Sequence, residues 1–262
     1  MKTFTFQGQL YTYQYYPGEG TPVVLLHGFL EQQAMWAAFR QMALPHRAVL
    51  VLDLPGHGQA PLLSATHTME QLADLVNALL ELLQFPRVVL HGHSMGGYVA
   101  LAFAEKHPQK LAGLILQNSS PFADSKERQQ QRDRAIYLAQ QHRAVYIKNT
   151  IPQLFNSPQS PALKKAIAEA VKQGLNTSTA GITASLQGMK LRPDRTQILL
   201  QLKCPILMVA GQNDPLIPLQ SLEPLQKTKS LKLTSVKGGH MSHLEDTKGL
   251  MAAVHTFLRH LP

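Results

Sequence analysis

A pentapeptide centred on a serine is the stretch of this sequence with the clearest chemical potential. Gly92-His93-Ser94-Met95-Gly96 follows an apolar run at 87–91 and precedes a stretch typical of a helix at 98–106. Between a strand and a helix, the pattern G-x-S-x-G forms a tight turn that presents the serine hydroxyl at the end of a sheet. Small residues must flank such a turn because the backbone at the serine is strained. The pattern therefore predicts that Ser94 is a nucleophile.

A serine hydroxyl needs a neighbouring base to take its proton, and that base is usually a histidine oriented by a carboxylate. Such groups are expected on loops at the carboxyl ends of strands, with the acid before the histidine. Asp214 and His240 each follow an apolar run that predicts a strand, and we predict that they complete a triad with Ser94. Asp53 is the alternative acid, but it precedes the serine in a Gly/Pro turn. His243 is the alternative base, at the approach to the last helix.

The negative charge that forms on an attacked carbonyl oxygen needs preorganised N–H donors. The backbone amide of Met95 is one candidate, because it follows the nucleophile at the start of the predicted helix. The amide of Phe29, in the loop after the apolar run 22–26, is the second. Four nearby residues are predicted to contact substrate: His27, Gly28, His93 and Asn118. For His27, a structural hydrogen bond is the main role that we expect.

The elements that must position these residues alternate along the chain. Residues 3–16 predict an antiparallel hairpin around Gly8. Amphipathic stretches predict helices, including one that begins at Thr68 with Gln71 completing a capping box. Continuous apolar strands alternating with helices indicate an α/β fold with a mostly parallel sheet of about eight strands and helices on both faces. Five apolar runs predict further strands, at 22–26, 48–52, 87–91, 111–116 and 205–210, and the alternating stretch 231–236 predicts the last one.

The alternation stops between residues 121 and 190, where the sequence predicts three helices and no strand. We therefore divide the chain into an α/β core, residues 1–120 and 191–262, and an all-helical insertion at 121–190. The insertion has ten basic and four acidic residues, so it carries six of the nine net positive charges. This excess fits either a solvated helical surface or a basic cover over a site for anionic substrates. The predicted helices of the insertion are 124–141, 159–172 and 179–189.

Composition excludes several classes of protein. With 44% hydrophobic and 16% charged residues the chain is globular. No apolar run approaches the length of a membrane span, and the first residues alternate like a strand rather than a signal peptide. Basic residues are scattered, which argues against a nucleic-acid site. We expect a cytoplasmic protein that binds neither nucleic acid nor membranes. Its substrate is expected to be a small molecule, which is anionic if the basic insertion covers the site. The sequence leaves the oligomeric state open.

Several histidines near the serine raise the question of a metal site. Their spacing does not match H-E-x-x-H, and Cys204 is the only cysteine. His91 ends a predicted strand and His93 lies in the turn, so we expect that their side chains do not converge. No glycine-rich nucleotide motif occurs. We predict that the protein uses no metal and no cofactor.

Four stretches together resemble the α/β-hydrolase superfamily: residues 26–29, 53–58, 92–97 and 239–245. The resemblance spans nearly the whole chain outside the insertion and implies that 121–190 is a cap over the active site. Asp246-Thr247 stands where this family often has a proline before the last helix. Serine members include carboxylesterases, C–C bond hydrolases, cofactor-free haloperoxidases, acyltransferases and a menaquinone-pathway lyase. Ser94 argues against the dehalogenases and epoxide hydrolases, which have aspartate at this position.

The resemblance leaves three functions in competition. The first is a carboxylesterase that cleaves a small ester through Ser94, His240 and Asp214 and an acyl-enzyme. The second is a cofactor-free lyase or C–C hydrolase acting on a small carboxylate, as the menaquinone-pathway lyase does. The basic insertion supports this second function, because Arg128 and Arg132 share a helix face there. The third is a non-catalytic binder of a small ligand. The complete triad favours the first.

Overall fold

The structure is built on an eight-stranded sheet. The computed structural model describes residues 1–261. In chain order the strands are β1 (Lys2–Phe6), β2 (Gln9–Tyr16), β3 (Glu19–Leu26), β4 (Arg47–Leu52), β5 (Val88–His93), β6 (Leu111–Gln117), β7 (Ile206–Gly211) and β8 (Leu231–Val236). Across the sheet they lie in the order β1-β2-β4-β3-β5-β6-β7-β8. Only the β1–β2 and β2–β4 pairs of this sheet are antiparallel. The predicted mostly parallel sheet that begins with a hairpin is confirmed.

Helices connect these strands. They are α1 (Trp36–Ala43), α2 (Met69–Leu82), α3 (Met95–Lys106), α4 (Lys126–Thr150), α5 (Lys164–Gly174), α6 (Thr179–Leu191), α7 (Thr196–Gln201), α8 (Leu219–Leu222), α9 (Ser242–Glu245) and α10 (Thr247–Arg259). The nucleophile helix α3 begins at Met95, directly after the serine, rather than near Tyr98. Among the helices of residues 1–261, none has both the length and the apolar character that crossing a membrane requires.

The two faces of the sheet bury separate apolar cores, which explains the continuous apolar runs of the central strands. Along β5, Val88 and Leu90 contribute to one core and Val89 to the other, because side chains alternate across a strand. Helices α2 and α3 cover the first core, and α1 and α10 cover the second. Every residue of β5 is buried. The strand that carries the serine turn is therefore enclosed along its whole length, as are β6 and β7.

Local signals set the start of α2, as the sequence predicts. Thr68 Oγ1 accepts the backbone N–H of Gln71 at 3.2 Å, and Gln71 Oε1 accepts the backbone N–H of Thr68 at 3.2 Å. This capping box satisfies two N–H groups that have no acceptor within the helix. The buried face of the helix then packs on the first core through Met69, Leu72, Ala73, Leu75, Val76, Leu79 and Leu80.

The segment between β6 and α7 consists of helices and loops in the described residues. Helix α4 runs past the predicted end at 141, with non-helical backbone at His142 (φ −143°, ψ 58°). Helix α5 begins at Lys164 rather than at 159, because prolines at 158 and 161 hold the preceding residues in turns. The predicted all-helical character is therefore correct, with different boundaries.

Backbone contacts join this helical segment to the rest of the chain beside the carboxyl edge of the sheet. His67 N–H donates to the carbonyl of Ala184 at 3.0 Å, and His240 N–H donates to the carbonyl of Leu154 at 2.8 Å. These contacts are compatible with a cap, and the division into core and cap stays a prediction.

Candidate active site

Ser94 lies in the sharp turn between β5 and α3. Its φ of 49° and ψ of −114° lie in a region that L-residues avoid, and such backbone costs on the order of 1–3 kcal/mol. The N–H of Ser94 donates to the carbonyl of Gln117 at 3.0 Å, and Ser119 Oγ donates to the carbonyl of Ser94 at 2.8 Å. A Cβ at Gly92 would lie 2.3 Å from the carbonyl oxygen of Gly96, so only glycine fits there. These contacts hold the strained turn in place.

The structure brings the three predicted triad residues into one hydrogen-bonded chain. His240 Nε2 lies 2.8 Å from Ser94 Oγ, and His240 Nδ1 lies 2.9 Å from Asp214 Oδ2. Burial by itself would raise the pKa of the Asp214 carboxyl, but the charge and hydrogen bond of His240 lower it below its ordinary value. An ionised Asp214 fixes the proton of His240 on Nδ1, which leaves Nε2 free to accept the proton of Ser94.

The two alternatives for acid and base lie away from the serine hydroxyl. Asp53 accepts backbone N–H groups from Gln33 at 2.7 Å and from Gln59 at 3.1 Å, so it stabilises its own loop. His243 is buried, with Nε2 3.7 Å from Glu31 Oε1. The geometry therefore favours Asp214 and His240 over these residues.

The two predicted oxyanion donors remain available. Met95 is the first residue of α3, so its amide has no acceptor within the helix. Phe29 lines the same cavity as Ser94, and within residues 1–261 its amide donates to no protein acceptor. Leu30 has a φ of 62°, unusual for leucine, which bends this loop beside the nucleophile. Their role in stabilising an oxyanion stays a prediction.

A buried ion pair ties this loop to the histidine of the triad. Glu31 Oε2 accepts the backbone N–H of Gly28 at 2.7 Å and lies 2.7 Å from His93 Nδ1. His93 Nε2 lies 3.0 Å from the carbonyl oxygen of His240. Both ring nitrogens of His93 therefore face acceptor oxygens, so both carry protons and the ring is an imidazolium. We call this arrangement the Glu31–His93 pair.

The charges of the Glu31–His93 pair are stabilised against their burial. Burial by itself would raise the pKa of Glu31, but the charge and hydrogen bond of His93 lower it to about 2. Burial by itself would lower the pKa of His93, but the charge and hydrogen bond of Glu31 raise it above its ordinary value. The pair thus connects the loop that carries Phe29 with the backbone of His240.

Comparison with known proteins identifies the family of this chain. A family model described as alpha/beta hydrolase fold matches residues 21–247. The chain belongs to the alpha/beta hydrolase fold family. A structure of a thermophilic esterase from Thermogutta terrifontis, with malate bound, matches this hydrolase with a TM-score of 0.90. The two chains are 31% identical, and the match covers 98% of this chain and 96% of that one.

Curated relatives of this hydrolase carry different descriptions. The dihydrolipoyllysine-residue acetyltransferase component of an acetoin cleaving system from Pseudomonas putida is 30% identical over 247 residues. That match covers 92% of this chain but 64% of the relative, so the chain spans less than two thirds of its length. A putative 2-succinyl-6-hydroxy-2,4-cyclohexadiene-1-carboxylate synthase from Bacillus subtilis is 28% identical, with 92% of each chain covered. The relatives support an enzyme of the hydrolase class, and the site must decide the reaction.

His27 and Gly28, which the sequence predicts as substrate contacts, lie behind the cavity rather than on its wall. His27 is fully buried; its Nε2 accepts the backbone N–H of Leu54 at 2.8 Å, and its Nδ1 donates to the carbonyl of Gly28 at 2.8 Å. These hydrogen bonds give His27 the structural role that the sequence predicts. Gly28 is enclosed because a Cβ there would lie 2.5 Å from Glu31 Oε2.

Asn118 also differs from its predicted role. Its side-chain amide donates to Asp214 Oδ2 at 2.9 Å and to the carbonyl of Gly239 at 3.1 Å, and the residue is fully buried. Asn118 therefore holds the acid of the triad and does not line the cavity. His93 does line it, although both of its ring nitrogens already contact acceptor oxygens. Of the four predicted substrate contacts, only His93 reaches the cavity wall.

The predicted placement of His93 in the turn is wrong, but the two histidines do not converge on one site. Strand β5 continues through His93, so the two residues are two positions apart and share a face of the sheet. They still bind different partners, since His91 Nε2 lies 2.9 Å from Gln117 Oε1. Glu31, His93 and His243 each offer one ligand atom within 4.8 Å of the others. The ion pair accounts for the first two, and the absence of a metal stays a prediction.

The cavity above Ser94 has a volume of about 350 Å³. Its floor carries Ser94 and His240, and the helical insertion supplies much of its wall, including Arg128, Leu186 and Met189. Glu31 was not predicted from the sequence, although an acid four residues after His27 in the oxyanion loop could have indicated a role in the site.

Proposed function

We propose that this protein is a serine hydrolase that cleaves a small carboxylic ester. The observation that supports this most is the chain of hydrogen bonds from Ser94 Oγ through His240 to Asp214. A base 2.8 Å from the serine oxygen is within proton-transfer reach. The strained backbone at Ser94 adds to this, because such conformations are kept where they serve a site.

The proposed reaction has two halves. In the first, Ser94 Oγ attacks the ester carbonyl while His240 Nε2 takes its proton, and the amides of Phe29 and Met95 hold the oxyanion. His240 then gives the proton to the alcohol oxygen as the ester C–O bond breaks, which leaves an acyl-enzyme. In the second, water attacks the acyl group, His240 takes and returns a proton, and the acid leaves. Asp214 stays ionised and stabilises the imidazolium.

The substrate is small because the cavity is small. A volume of about 350 Å³ is near the lower end of ligand pockets, which span about 300–1,000 Å³. Apolar side chains such as Leu186, Met189 and Leu216 form part of the wall. Short acyl and alcohol groups therefore fit better than long chains.

The test is hydrolysis of 4-nitrophenyl acetate and 4-nitrophenyl butyrate, followed by absorbance. The purified protein is expected to turn over both esters, and Ser94→Ala is expected to lose at least about 10³-fold in kcat. Lys237→Ala changes an exposed charge outside the cavity and serves as the preparation control. Equal rates for the wild-type and Ser94→Ala proteins would overturn the proposal.

The second candidate is a cofactor-free lyase or C–C hydrolase acting on a small carboxylate. The basic residue Arg128 on the cavity wall favours this candidate. The Bacillus subtilis relative, a putative synthase, also favours it. In a lyase the triad abstracts a proton from carbon and forms no acyl-enzyme. Pyruvate release from a succinyl cyclohexene carboxylate that carries an enolpyruvyl ether, whose C–O bond breaks as the diene forms, without a fluorophosphonate adduct on Ser94, would favour this candidate over the esterase.

A further inference from the structure

The arginines of the helical insertion and its flank fall into paired and unpaired groups. Arg132 Nε donates to Asp124 Oδ2 at 2.7 Å, and Arg192 Nη1 lies 2.7 Å from Asp124 Oδ1. Asp124 is buried, and both of its carboxylate oxygens are used by these two side chains. Each oxygen of this carboxylate therefore already contacts one guanidinium, and a third guanidinium nearby forms no ion pair with it.

Arg128 is that third guanidinium. It lines the cavity that contains Ser94 and His240 and is half-buried. Among residues 1–261 it forms no ion pair, and its side-chain hydrogen bond goes to the neutral amide of Gln131 at 3.1 Å. An unpaired cation in a partly enclosed cavity lacks both full hydration and a counter-charge.

The surroundings make the position of Arg128 unfavourable when the cavity is empty. Arg128 lies in the first turn of α4, where the helix dipole opposes a positive charge. Burial lowers the pKa of the Arg128 guanidinium and the charge of Arg132 lowers it further, while the charge of Asp124 opposes this lowering only in part. A bound anion would relieve each of these effects.

We propose that Arg128 binds a carboxylate of the substrate, so that the preferred ester carries a second, free carboxylate. The guanidinium fork matches a carboxylate, and one unpaired positive charge balances one negative charge. A phosphate dianion would need a second free cation. This inference rests on the proposed function for the reaction at Ser94, but the binding of the carboxylate does not depend on turnover.

The experiment measures binding without catalysis. Ser94→Ala protein is titrated calorimetrically with monoethyl glutarate, which carries one ester and one carboxylate, and with diethyl glutarate, in which that carboxylate is masked. The same titrations are made after adding Arg128→Met, which keeps an unbranched side chain about as long as the stem of arginine, or Arg128→Lys, which keeps the charge. Arg134→Met is the matched control, because Arg134 is an exposed arginine of the same helix.

Monoethyl glutarate is expected to bind with a Kd about 10- to 100-fold weaker after Arg128→Met, the range of a lost charge-assisted hydrogen bond. Arg128→Lys should restore part of this loss, and Arg134→Met should leave the Kd unchanged. The same Kd with and without Arg128, no binding at millimolar ester, or equally tight binding of inorganic phosphate would overturn the inference. Failure of the 4-nitrophenyl ester assay would instead refute the hydrolase proposal alone.

Discussion

Glu31→Gln is the substitution that most sharply tests how this site is held together. It keeps the shape of a buried side chain, 8% exposed, and removes its charge. Glutamine Oε1 can still accept the N–H of Gly28, but it no longer balances a positive His93. His93 then sheds a proton, and a neutral ring cannot donate from both nitrogens to the acceptors on either side. One link between the oxyanion loop and His240 is lost.

The magnitude follows from the contacts. A charge-assisted hydrogen bond contributes about 1.5–3 kcal/mol, so we expect the free energy of unfolding to fall by about 2 kcal/mol. For a chain of this size that lowers Tm by about 4–8 °C. A small misplacement of the Phe29 amide costs on the order of 10- to 100-fold in kcat, since the donor then misses the oxyanion. KM should change less than kcat, because glutamine keeps the size of the side chain that lines the cavity at this position.

The assay combines kcat with its pH dependence. The carboxylate of Glu31 raises the pKa of His93 against the effect of burial, so the positive form and its contacts persist below that pKa and are lost as the pH rises through it. The alkaline limb of kcat should therefore move to lower pH in Glu31→Gln. The groups that face His93 are Glu31 itself, His240 with Asp214 behind it, and His243.

Two variants control this experiment. Glu31→Asp keeps the charge and should recover part of kcat and of the alkaline limb. Glu169→Gln makes the same chemical change on an exposed helix position and should match the wild type. If Glu31→Gln retains the wild-type kcat and alkaline limb while remaining folded, the Glu31–His93 pair does not position the site and the reasoning is refuted.

Further outcomes follow from the same structure. Asp214→Asn should lower kcat by about 10³- to 10⁴-fold in the 4-nitrophenyl ester assay, since the proton on Nδ1 loses its acceptor; a loss below tenfold would argue against Asp214 as the acid. Gly92→Ala places a methyl 2.3 Å from a backbone oxygen, so urea unfolding should show a loss of about 3 kcal/mol, and unchanged stability would contradict the packing described. Burial lowers the pKa values of His57, His91 and His243 to about 3. Their neutral forms stabilise the fold above about pH 6.5, and the free energy of unfolding should fall between pH 6.5 and 3 by up to about 4 kcal/mol per pH unit. Urea titrations at several pH values check this, and a flat profile would exclude it.

The parts of the fold that follow local rules could be predicted from the sequence. Apolar runs of five or six residues identified the central strands, since both sheet faces are covered. The G-x-S-x-G turn located Ser94 because few backbones tolerate that geometry. The boundary of β5 was misplaced at His91, because the polar histidines that end it are buried by their partners rather than by their own hydrophobicity.

The contacts made across the sheet could not be predicted in the same way. Asn118 and Glu31 lie far apart in sequence from Asp214 and His93, and no local pattern shows that they meet. The pairing of arginines in the insertion depends on Asp124 reaching Arg192, which lies on another element. Substrate contacts therefore required the folded cavity, whereas the order of serine, acid and histidine did not.

The nucleophilic role of Ser94 is tested most directly by labelling with a fluorophosphonate, followed by intact mass and peptide mapping. We expect one adduct per chain, located on Ser94 and absent from Ser94→Ala, with much slower labelling of His240→Ala because the serine then has no base. An adduct on a different residue, or equal labelling of the wild-type and Ser94→Ala proteins, would contradict the account.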